Sequence, residues 1–503
     1  MKIRECSASK LNKLSQKKKI IFFGAGDNLF HILEVYKEYE FEKRVAFVVD
    51  GNPQKIGKTI SFNGTEMEVK PYTALSDVRL KEYTLIIATL KYQEIFAQIQ
   101  NISNEKNTYC YTAPKRRIGG YKLIEKLVCS LPLKDTIVLN GEGDTYDNAE
   151  ALGKYIASKQ YFDKYRLVWL CDHPKQYEST DKEKFLNRKA LWDAHNIGEL
   201  FKYYYYVGRA KYLIFENQMI PKIRTDQISI YLNHGSPPIK STKGIINLPK
   251  DLNLAISPSE YSTDIICEQY GINKQRVLCC GSPRTDCLFD LSDVADIKEE
   301  FHISKFNKVV IWVPTFRQKK NSNRVDTNRK YNWGIPIIND EDNFEQLKKL
   351  LERENIVILL KPHLLQDISY IKLKQTENIQ IITNDELLKK GRKINDLLKC
   401  ADAMVTDYST IAFDFMLLNR PIGYTVDDIE DYKIGFSVKN VTELMPGAMI
   451  DNAADLYDFL ETVSMGQDVR AEQRRTVNQK VHDYPDGYNA ERLCHKLKIG
   501  EKE

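Results

Sequence analysis

A histidine that follows an apolar run in the middle of the chain is a strong candidate for acid–base chemistry. His234 comes directly after the predicted strand 228–232 and precedes a Gly-Ser-Pro-Pro turn. Because the pKa of an imidazole lies near neutrality, a histidine at such a strand end can take a proton from a hydroxyl group. The alternative is a structural histidine held by hydrogen bonds at the turn. The polar groups elsewhere in the chain favour the catalytic interpretation.

Cationic side chains follow two apolar runs in the C-terminal half. Thr315 and Arg317 stand in Val-Pro-Thr-Phe-Arg after the first run, and Lys361 and His363 stand in Lys-Pro-His after the second. Because the carboxyl ends of parallel strands share one edge of a sheet, we expect Arg317, Lys361 and His363 to converge. Three cationic or potentially cationic groups at one edge suit a diphosphate and the negative charge that develops on it.

A polar loop follows a further apolar run, Ala-Met-Val, in the same half. Thr406 and Asp407 stand where the strand ends, Ser409 and Thr410 fit a helix N-cap, and Asp414 falls in or near the first helical turn. The free amides of a helix start attract anions. Asp414 could hold a ribose or glycerol hydroxyl, or could simply favour the positive end of the helix dipole. Both roles of Asp414 stay open.

An arginine stands in the segment Gly-Ser-Pro-Arg-Thr-Asp after the predicted strand 276–280. Arg284 could reach a phosphate with two parallel hydrogen bonds. An internal ion pair with Asp286 is an equally good interpretation.

A glycine loop near the N-terminus has the position of a dinucleotide-binding fingerprint. Gly24 and Gly26 lie between the predicted strand 20–23 and a helix, and Asp50 closes the next strand. Glycines at this place let a pyrophosphate approach the backbone. Leu29 replaces the third glycine, and no Tyr-x-x-x-Lys accompanies the loop. The loop therefore allows an NAD-like nucleotide, but a Rossmann-shaped unit that binds no cofactor is slightly favoured.

Strands alternate with helices along most of the chain, which predicts an α/β protein with parallel sheets. We expect a Rossmann-like accessory domain over 1–115, one doubly wound half over 130–300, and a second over 301–503 with a helical tail. Two facing halves would hold a ligand in the cleft between them. The basic segment 113–122 is a predicted linker, and the polar stretch 318–330 is a predicted long loop.

The composition is that of an ordinary globular protein: 503 residues, 42% hydrophobic and 28% charged, with a net charge of +5. That charge does not indicate nucleic acid, although it is compatible with an anionic substrate or a membrane surface. Ten cysteines without a C-x-x-C pair, and no zinc spacing, argue against a metal site. The chain start lacks a signal peptide, and the apolar runs are too short to cross a bilayer. We expect a cytoplasmic protein, with the inner face of the membrane as a further location.

Taken together, these motifs resemble the CDP-glycerol glycerophosphotransferase family, which comprises teichoic-acid primases and polymerases and related capsule polymerases. The correspondence runs from about residue 137 to 436, and its most specific parts are 313–317 and 406–414. The stretch Gly-Asp-Thr-Tyr-Asp-Asn at 143–148 also resembles the start of the family pattern. The resemblance implies a GT-B-like pair of Rossmann-type halves, a nucleotide held by the C-terminal half, and transfer that needs no metal.

The resemblance also implies roles for individual residues. The histidines of the family's H-G-[ST]-P and K-P-H motifs match His234 and His363, and Asp414 is grouped with them as catalytic. The positions expected to contact the nucleotide and its diphosphate are Arg284, Thr315, Arg317, Lys361, Thr406, Asp407, Ser409 and Thr410. The implied partners are a CDP-alcohol donor and a polymer or lipid-linked acceptor.

Two departures from the family pattern lie beside the proposed acceptor site. Asn233 stands where the family usually has Trp, and Pro238-Ile239-Lys240 stands where it reads Leu-Lys. These leave open the acceptor and the alcohol, which could be glycerol, ribitol or a sugar.

Three other functions compete with this prediction. A GT-B glycosyltransferase would use a UDP- or GDP-sugar and release a nucleoside diphosphate in place of CMP. A binding subunit of a capsule assembly complex would not need both His234 and His363. A nicotinamide-dependent enzyme built on the N-terminal unit is the weakest alternative, because that unit lacks a hydride-transfer constellation.

Overall fold

The computed structural model describes most of the chain, with short gaps. The described residues are 2–6, 8–53, 55–89, 92–102, 105, 109–112, 122–141, 145, 147–159, 161–191, 197–235, 237, 239–243, 246–315, 327, 329, 331–363, 366 and 368–500. Contacts divide the chain into two compact units. The first consists mainly of Met1–Ile124 with Arg188–Tyr203, and the second contains Glu125–Asn187, Tyr204–Gln318 and Val325–Glu503.

The first unit contains one sheet with helices on both faces. Its strands are β1 (Lys2–Glu5), β2 (Ile20–Phe23), β3 (Val45–Asp50), β4 (Thr59–Phe62), β5 (Thr65–Pro71), β6 (Thr84–Ile87) and β7 (Tyr109–Thr112). The strand order is β1-β7-β6-β2-β3-β5-β4, and β4 pairs antiparallel with β5 while the other pairs are parallel. The central order β5-β3-β2-β6-β7 is that of a doubly wound sheet. The helices are α1 (Ala8–Ser15), α2 (Asp27–Val35) and α3 (Tyr92–Ile102).

The second unit contains two fully parallel sheets. The strands of the first sheet are β8 (Lys134–Asn140), β9 (Arg166–Cys171), β10 (Glu183–Asn187), β11 (Ala210–Phe215), β12 (Ile228–Tyr231), β13 (Leu254–Ser257) and β14 (Val277–Cys279). The strands of the second sheet are β15 (Lys308–Val313), β16 (Ile356–Leu360), β17 (Ile379–Ile381), β18 (Ala403–Thr406), β19 (Ile422–Thr425) and β20 (Ala448–Ile450). Their orders are β10-β9-β8-β11-β12-β13-β14 and β17-β16-β15-β18-β19-β20.

The remaining helices connect and cover these strands. They are α4 (Lys122–Cys129), α5 (Asp147–Ser158), α6 (Tyr161–Lys164), α7 (Ile197–Val207), α8 (Glu260–Tyr270), α9 (Val294–Glu300), α10 (Glu341–Glu354), α11 (Asn384–Lys389), α12 (Ile394–Cys400), α13 (Ile411–Met416), α14 (Ala453–Ser464), α15 (Ala471–Val481) and α16 (Asn489–Lys496). Within the described ranges, no helix is both long enough and apolar enough to cross a membrane.

The strands that carry the candidate residues are buried on both faces. All five residues of β16 are buried, and alternate residues of β15 enter two different cores: Val309 and Ile311 one, Val310 and Trp312 the other. Such continuous apolar strands are typical of parallel sheets covered by helices on both sides. Because β16, β15 and β18 are parallel neighbours, the loops that follow them start at the same edge of the sheet.

The C-terminal tail corrects the predicted boundary of the third domain. Helix α15 contacts α13 of the second sheet and α8 of the first. Helix α16 then places Ala490, Leu493 and Cys494 in the core of the first of the two sheets, the one formed by β8–β14. The predicted domain 301–503 therefore includes residues that complete the core of the preceding half.

Gly281, at the docking site of this tail, provides a stability test. It has φ +85, and a Cβ atom there would lie 1.8 Å from Asn489 Oδ1. The Asn489 amide donates to Ser282 O and to Thr285 Oγ1 at 3.3 and 3.1 Å. We expect Gly281→Ala to destabilise the fold by roughly 2–4 kcal/mol, through backbone strain and loss of this contact. The measurement is the midpoint of thermal unfolding.

Gly271 is a matched control for this prediction. It has φ +65, but a Cβ atom there would meet nothing within 4 Å beyond the adjoining residues of the chain. Gly271→Ala should therefore carry only the backbone strain, about 1–2 kcal/mol. Equal losses in the two variants would show that the contact with Asn489 does not hold the tail.

Candidate active site

A histidine–aspartate pair lies where β12 and α5 meet. His234 Nδ1 is 2.6 Å from Asp147 Oδ2, and the side chains are 42% and 5% exposed respectively. Burial opposes ionisation of Asp147, but Arg284 and His234 lower its pKa to about 2, so it is charged at neutral pH. A carboxylate at Nδ1 keeps the proton on that nitrogen. The Nε2 atom is then the one that can accept a proton from a hydroxyl.

Arg284 connects this pair to the other half of the second unit. Its NH1 atom donates to Asp147 Oδ1 at 3.2 Å and to His234 O, while Nε and NH2 donate to the two oxygens of Asp414 at 2.8 and 3.2 Å. Only 9% of the Arg284 side chain is exposed. The guanidinium of Arg284 is thus engaged by two carboxylates, and its contact with a phosphate stays a prediction that nothing here supports further.

The alternative interpretation, an ion pair between Arg284 and Asp286, is wrong. The Asp286 oxygens accept hydrogen bonds from the amides of Asn489 and Ala490, at 2.9 and 2.8 Å. Asp286 therefore holds the first turn of α16, since the first amides of a helix have no partner within it.

Lys361 is a buried amine at the end of β16. It is 5% exposed, and its Nζ atom donates to Pro362 O at 3.0 Å. Within the described part of the chain Lys361 forms no ion pair. Burial lowers its pKa to about 8, so the amine still carries a proton at neutral pH. A buried cation without a carboxylate favours an anionic ligand, because the ligand would offset the loss of hydration.

His363 follows Lys361 but differs from it in charge. Part of its side chain meets solvent. Withdrawal from bulk water, with the charges of Lys240 and Lys361, lowers the pKa of His363 to about 3. This imidazole is therefore neutral at neutral pH, the uncharged form that the prediction of a potentially cationic group allows. A proton on His234 would lower the same pKa, which places the two histidines within electrostatic range.

The neutral state of His363 can be tested by titration. Without a donor nucleotide, we expect the ring resonances of His363 to stay constant between pH 5 and 8 in NMR spectra of histidine-labelled protein. A bound diphosphate should raise the pKa of His363, since its negative charge offsets the nearby lysines. A His363 that titrates near pH 6.5 in the free protein would contradict this.

Three of the predicted nucleotide contacts serve to hold strand ends. Asp407 Oδ2 accepts from the amide and the hydroxyl of Thr315 at 2.9 and 3.0 Å, and the Thr406 hydroxyl donates to Val313 O at 2.7 Å. Thr315 is 4% exposed, and Thr406 and Asp407 are fully buried. These hydrogen bonds join the loops after β15 and β18, and contact of the three residues with a nucleotide stays a prediction.

Ser409 and Thr410 are partly exposed and lie beside the histidine turn. A Cβ atom at Gly235 would lie 3.3 Å from Thr410 Oγ1, so the turn of His234 packs directly against this loop. Thr410 is the N-cap residue of α13, one of the two residues predicted for this position, but its side chain makes no capping hydrogen bond. In the described ranges neither hydroxyl has a hydrogen bond, so both are available to a ligand at this point.

A second connection joins the two halves near the histidine turn. Ser241 N donates to Gly435 O at 3.1 Å and Ser437 N donates to Ile239 O at 3.0 Å, as Lys240 bridges to Phe436. The segment after His234 is thereby fixed to the C-terminal half. Lys240 lies close enough to His363 to lower its pKa, so the position where the family pattern differs also faces the site.

Several predicted features lie outside the described residues. These are Arg317, Ser236, Pro238, most of the linker 113–122 and of the loop 318–330, and three residues of the stretch 143–148.

The glycine loop of the first unit is held by its own acidic residue. Asp50 accepts from the amides of Ala25 and Asn52 at 2.7 and 2.8 Å, and Lys55 Nζ lies 3.7 Å from its Oδ2. Gly24 has φ +108, and Gly26 precedes α2. The carboxylate that would bind a ribose thus holds the loop, and the NAD prediction stays untested.

The sequence profile of the family described as CDP-Glycerol:Poly(glycerophosphate) glycerophosphotransferase matches residues 125–498, about three quarters of the chain. The chain belongs to this glycerophosphotransferase family. It is therefore a transferase of the CDP-glycerol type, as the motifs at His234 and His363 indicated.

Individual relatives agree with this membership. The teichoic acid glycerol-phosphate transferase of Staphylococcus aureus (strain NCTC 8325 / PS 47) is 26% identical, over 73% of this chain and 94% of its own length. The ribitol-phosphate polymerase TarK of the same strain is 27% identical, over 48% of this chain and 44% of its own length. The solved structure of the wall teichoic acid polymerase TagF covers 81% of this chain and 97% of its own, with 20% identity and a TM-score of 0.59. The predicted α/β fold with GT-B-like halves is confirmed.

Sequence reasoning about this glycerophosphotransferase missed two site residues. Asp147 lies in the stretch 143–148, and Lys240 lies where the sequence departs from the family pattern, but neither residue was assigned a role from the sequence. The positive φ of Asp147, +59, is the kind of local feature that often marks a functional residue. It is visible only in the structure.

Proposed function

We propose that this chain transfers glycerol phosphate from CDP-glycerol to a hydroxyl of a growing surface polymer. One observation carries the proposal: His363 lies within electrostatic range both of His234, which pairs with Asp147, and of the buried amine of Lys361. A base next to an anion site is what transfer from a nucleotide diphosphate requires.

The residues suggest the following steps. His234 Nε2 takes the proton of the acceptor hydroxyl, and the oxygen attacks the phosphorus that carries the glycerol. The bond from that phosphorus to the bridging oxygen of CMP breaks, and CMP leaves with the electron pair. Lys361, Ser409 and Thr410 hold the diphosphate, and His363 donates a hydrogen bond to it. His234 later releases its proton to water.

Glycerol is preferred over ribitol as the alcohol because of the extent of the matches. The glycerol-phosphate transferase is matched over 94% of its length, whereas two ribitol-phosphate polymerases, TarK and TarL, are matched over 44% and 40%. Ribitol remains the second candidate, since the sequence identities are almost the same. A teichoic-acid-like polymer is the preferred acceptor, with a capsular polysaccharide as the alternative.

We also propose that transfer needs no metal ion. Lys361, together with Arg317 from the sequence, supplies the positive charge that a metal would otherwise contribute. Release of CMP should then be unchanged by an excess of EDTA.

We further propose that this protein acts at the inner face of the membrane and that its N-terminal unit binds no NAD. Tight binding of NAD by the full chain would contradict the last point.

The experiment that tests the function is a donor comparison. The purified full chain is incubated with CDP-glycerol, CDP-ribitol or UDP-glucose, each with and without a lipid-linked polymer acceptor, and the released nucleotides are separated. Acceptor-dependent CMP from CDP-glycerol is the expected result. CMP from CDP-ribitol alone would change the alcohol, and release of UDP would make the chain a glycosyltransferase. The variant His234→Ala distinguishes this activity from a contaminating enzyme.

A further inference from the structure

A continuous chain of hydrogen bonds runs from the helix after the nucleotide loop to the catalytic histidine. Asp414 on α13 accepts from Arg284 Nε and NH2, Arg284 NH1 donates to Asp147 Oδ1, and Asp147 Oδ2 meets His234 Nδ1. The first residue belongs to the half with the second sheet of the second unit, and His234 to the half with the first.

Three of the four members of this chain are buried. The side chains of Arg284, Asp147 and Asp414 are 9%, 5% and 5% exposed. In such surroundings a charged hydrogen bond is strong, and loss of one partner leaves its neighbour with an uncompensated charge. Replacing Asp414 should therefore alter the hydrogen bonding and the electrostatic environment of Asp147 through Arg284.

The same geometry opposes a direct role for Asp414 in binding a ribose. Both of its oxygens already accept from Arg284, and the residue as a whole is 3% exposed. A hydroxyl of the donor could reach it only if Arg284 moved away. Ser409 and Thr410, which precede α13, are partly exposed and lie closer to the turn of His234.

We propose that Asp414 and Arg284 are positioning residues that transmit the placement of the nucleotide loop to the base His234. This inference rests on the proposed function of His234. The loop 407–410 leads directly into α13, so a loop held by the donor also holds Asp414, and Arg284 carries that position to Asp147. His234 is then aligned when the two halves are closed on a donor.

The electrostatics give the two positioning residues opposite effects on His234. Replacing Asp414 by Asn removes a negative charge from the cluster, so the imidazolium becomes less favourable. Replacing Arg284 by Gln removes a positive charge, so the imidazolium becomes more favourable. Other charged or titratable groups that interact with members of this cluster include Tyr231, Cys287, His363, Lys393 and His482, and Lys393 in turn pairs with Glu150.

The test compares Asp414→Asn with the wild-type chain in two measurements. CDP-glycerol affinity is measured by calorimetry, and turnover is measured from pH 5 to 9. We expect the affinity to stay within about twofold while turnover falls about 10²-fold, the size of effect that misplacement of a reacting group can have. The acid limb of the pH profile should move to lower pH. Arg284→Gln should move it to higher pH, and Arg284→Lys should restore part of the turnover.

The outcomes separate this inference from the proposed function. A tenfold or larger loss of affinity in Asp414→Asn, with an unchanged pH profile, would show that Asp414 holds the donor and would overturn the inference. A wild-type chain that binds no CDP-glycerol would instead overturn the proposed function. Asp402→Asn is the matched control: its Oδ2 accepts from Val309 N at 2.8 Å, at the opposite end of β18, and turnover should be unaffected.

Discussion

Replacing His234 by alanine is expected to lower turnover about 10²- to 10⁴-fold and to leave the affinity for CDP-glycerol unchanged. This is the range of general base catalysis, and it applies because Nε2 of this residue is the atom left to accept a proton once Asp147 holds Nδ1. Donor affinity should be retained because the proposed anion site, around Lys361, lies on the other half. Initial rates of CMP release and calorimetric titration with CDP-glycerol measure the two quantities separately.

Two further variants make this result specific. Asp147→Asn should lower turnover without weakening donor binding, because an amide no longer keeps the proton on Nδ1. His495→Ala, on the exposed side of α16, is the control and should behave as wild type. Normal turnover in His234→Ala would rule out this residue as the base and leave His363 as the candidate.

The second large effect is expected at Lys361. Lys361→Met should weaken the binding of CDP-glycerol about 10- to 100-fold, since a charge-assisted hydrogen bond contributes roughly 1.5–3 kcal/mol. The thermal midpoint should stay the same or rise, because a buried ammonium group without an anionic partner gives way to an apolar chain of similar length. Loss of affinity combined with retained stability is not expected for a residue that merely supports the fold.

The pH dependence of binding supplies a separate test of Lys361. Its pKa is lowered by burial to about 8, so the charged form is present below that pH and is lost above it. Affinity of the wild type for CDP-glycerol should therefore fall as the pH rises through 8, and the affinity of Lys361→Met should not. Lys374→Met, at a residue that is 61% exposed, is the control. A wild-type affinity that is constant from pH 7 to 9 would contradict the assignment.

The sequence predicted the buried strands well, because their apolar runs are visible without knowledge of the partners. Strand β16, with all five residues buried, falls where its run of aliphatic residues was noted. Strand β10 was not predicted, since Leu186 is its only buried residue and the rest reads as a polar loop. Strand β20 was also missed, because it has only three residues and Ile450 is the only buried one among them.

The candidate residues were found from the sequence, but their partners were not. Asp147 and His234 are 87 residues apart, and Arg284 lies 130 residues from Asp414. No local pattern encodes such pairs, so Arg284 was assigned to a phosphate and Asp414 to a hydroxyl. The neutral state of His363 likewise depends on its partial withdrawal from water and on Lys240, which comes from the other half.

Because the C-terminal tail packs into the core of an earlier sheet, it determines when each half of this enzyme can finish folding during synthesis. The sheet of β8–β14 is translated early, but its core includes Leu493, Cys494 and Leu497, which leave the ribosome more than two hundred residues after β14. Until then that half exposes an apolar face, which makes the nascent chain prone to aggregation. The half that carries the base therefore cannot mature before the half that binds the donor has been made.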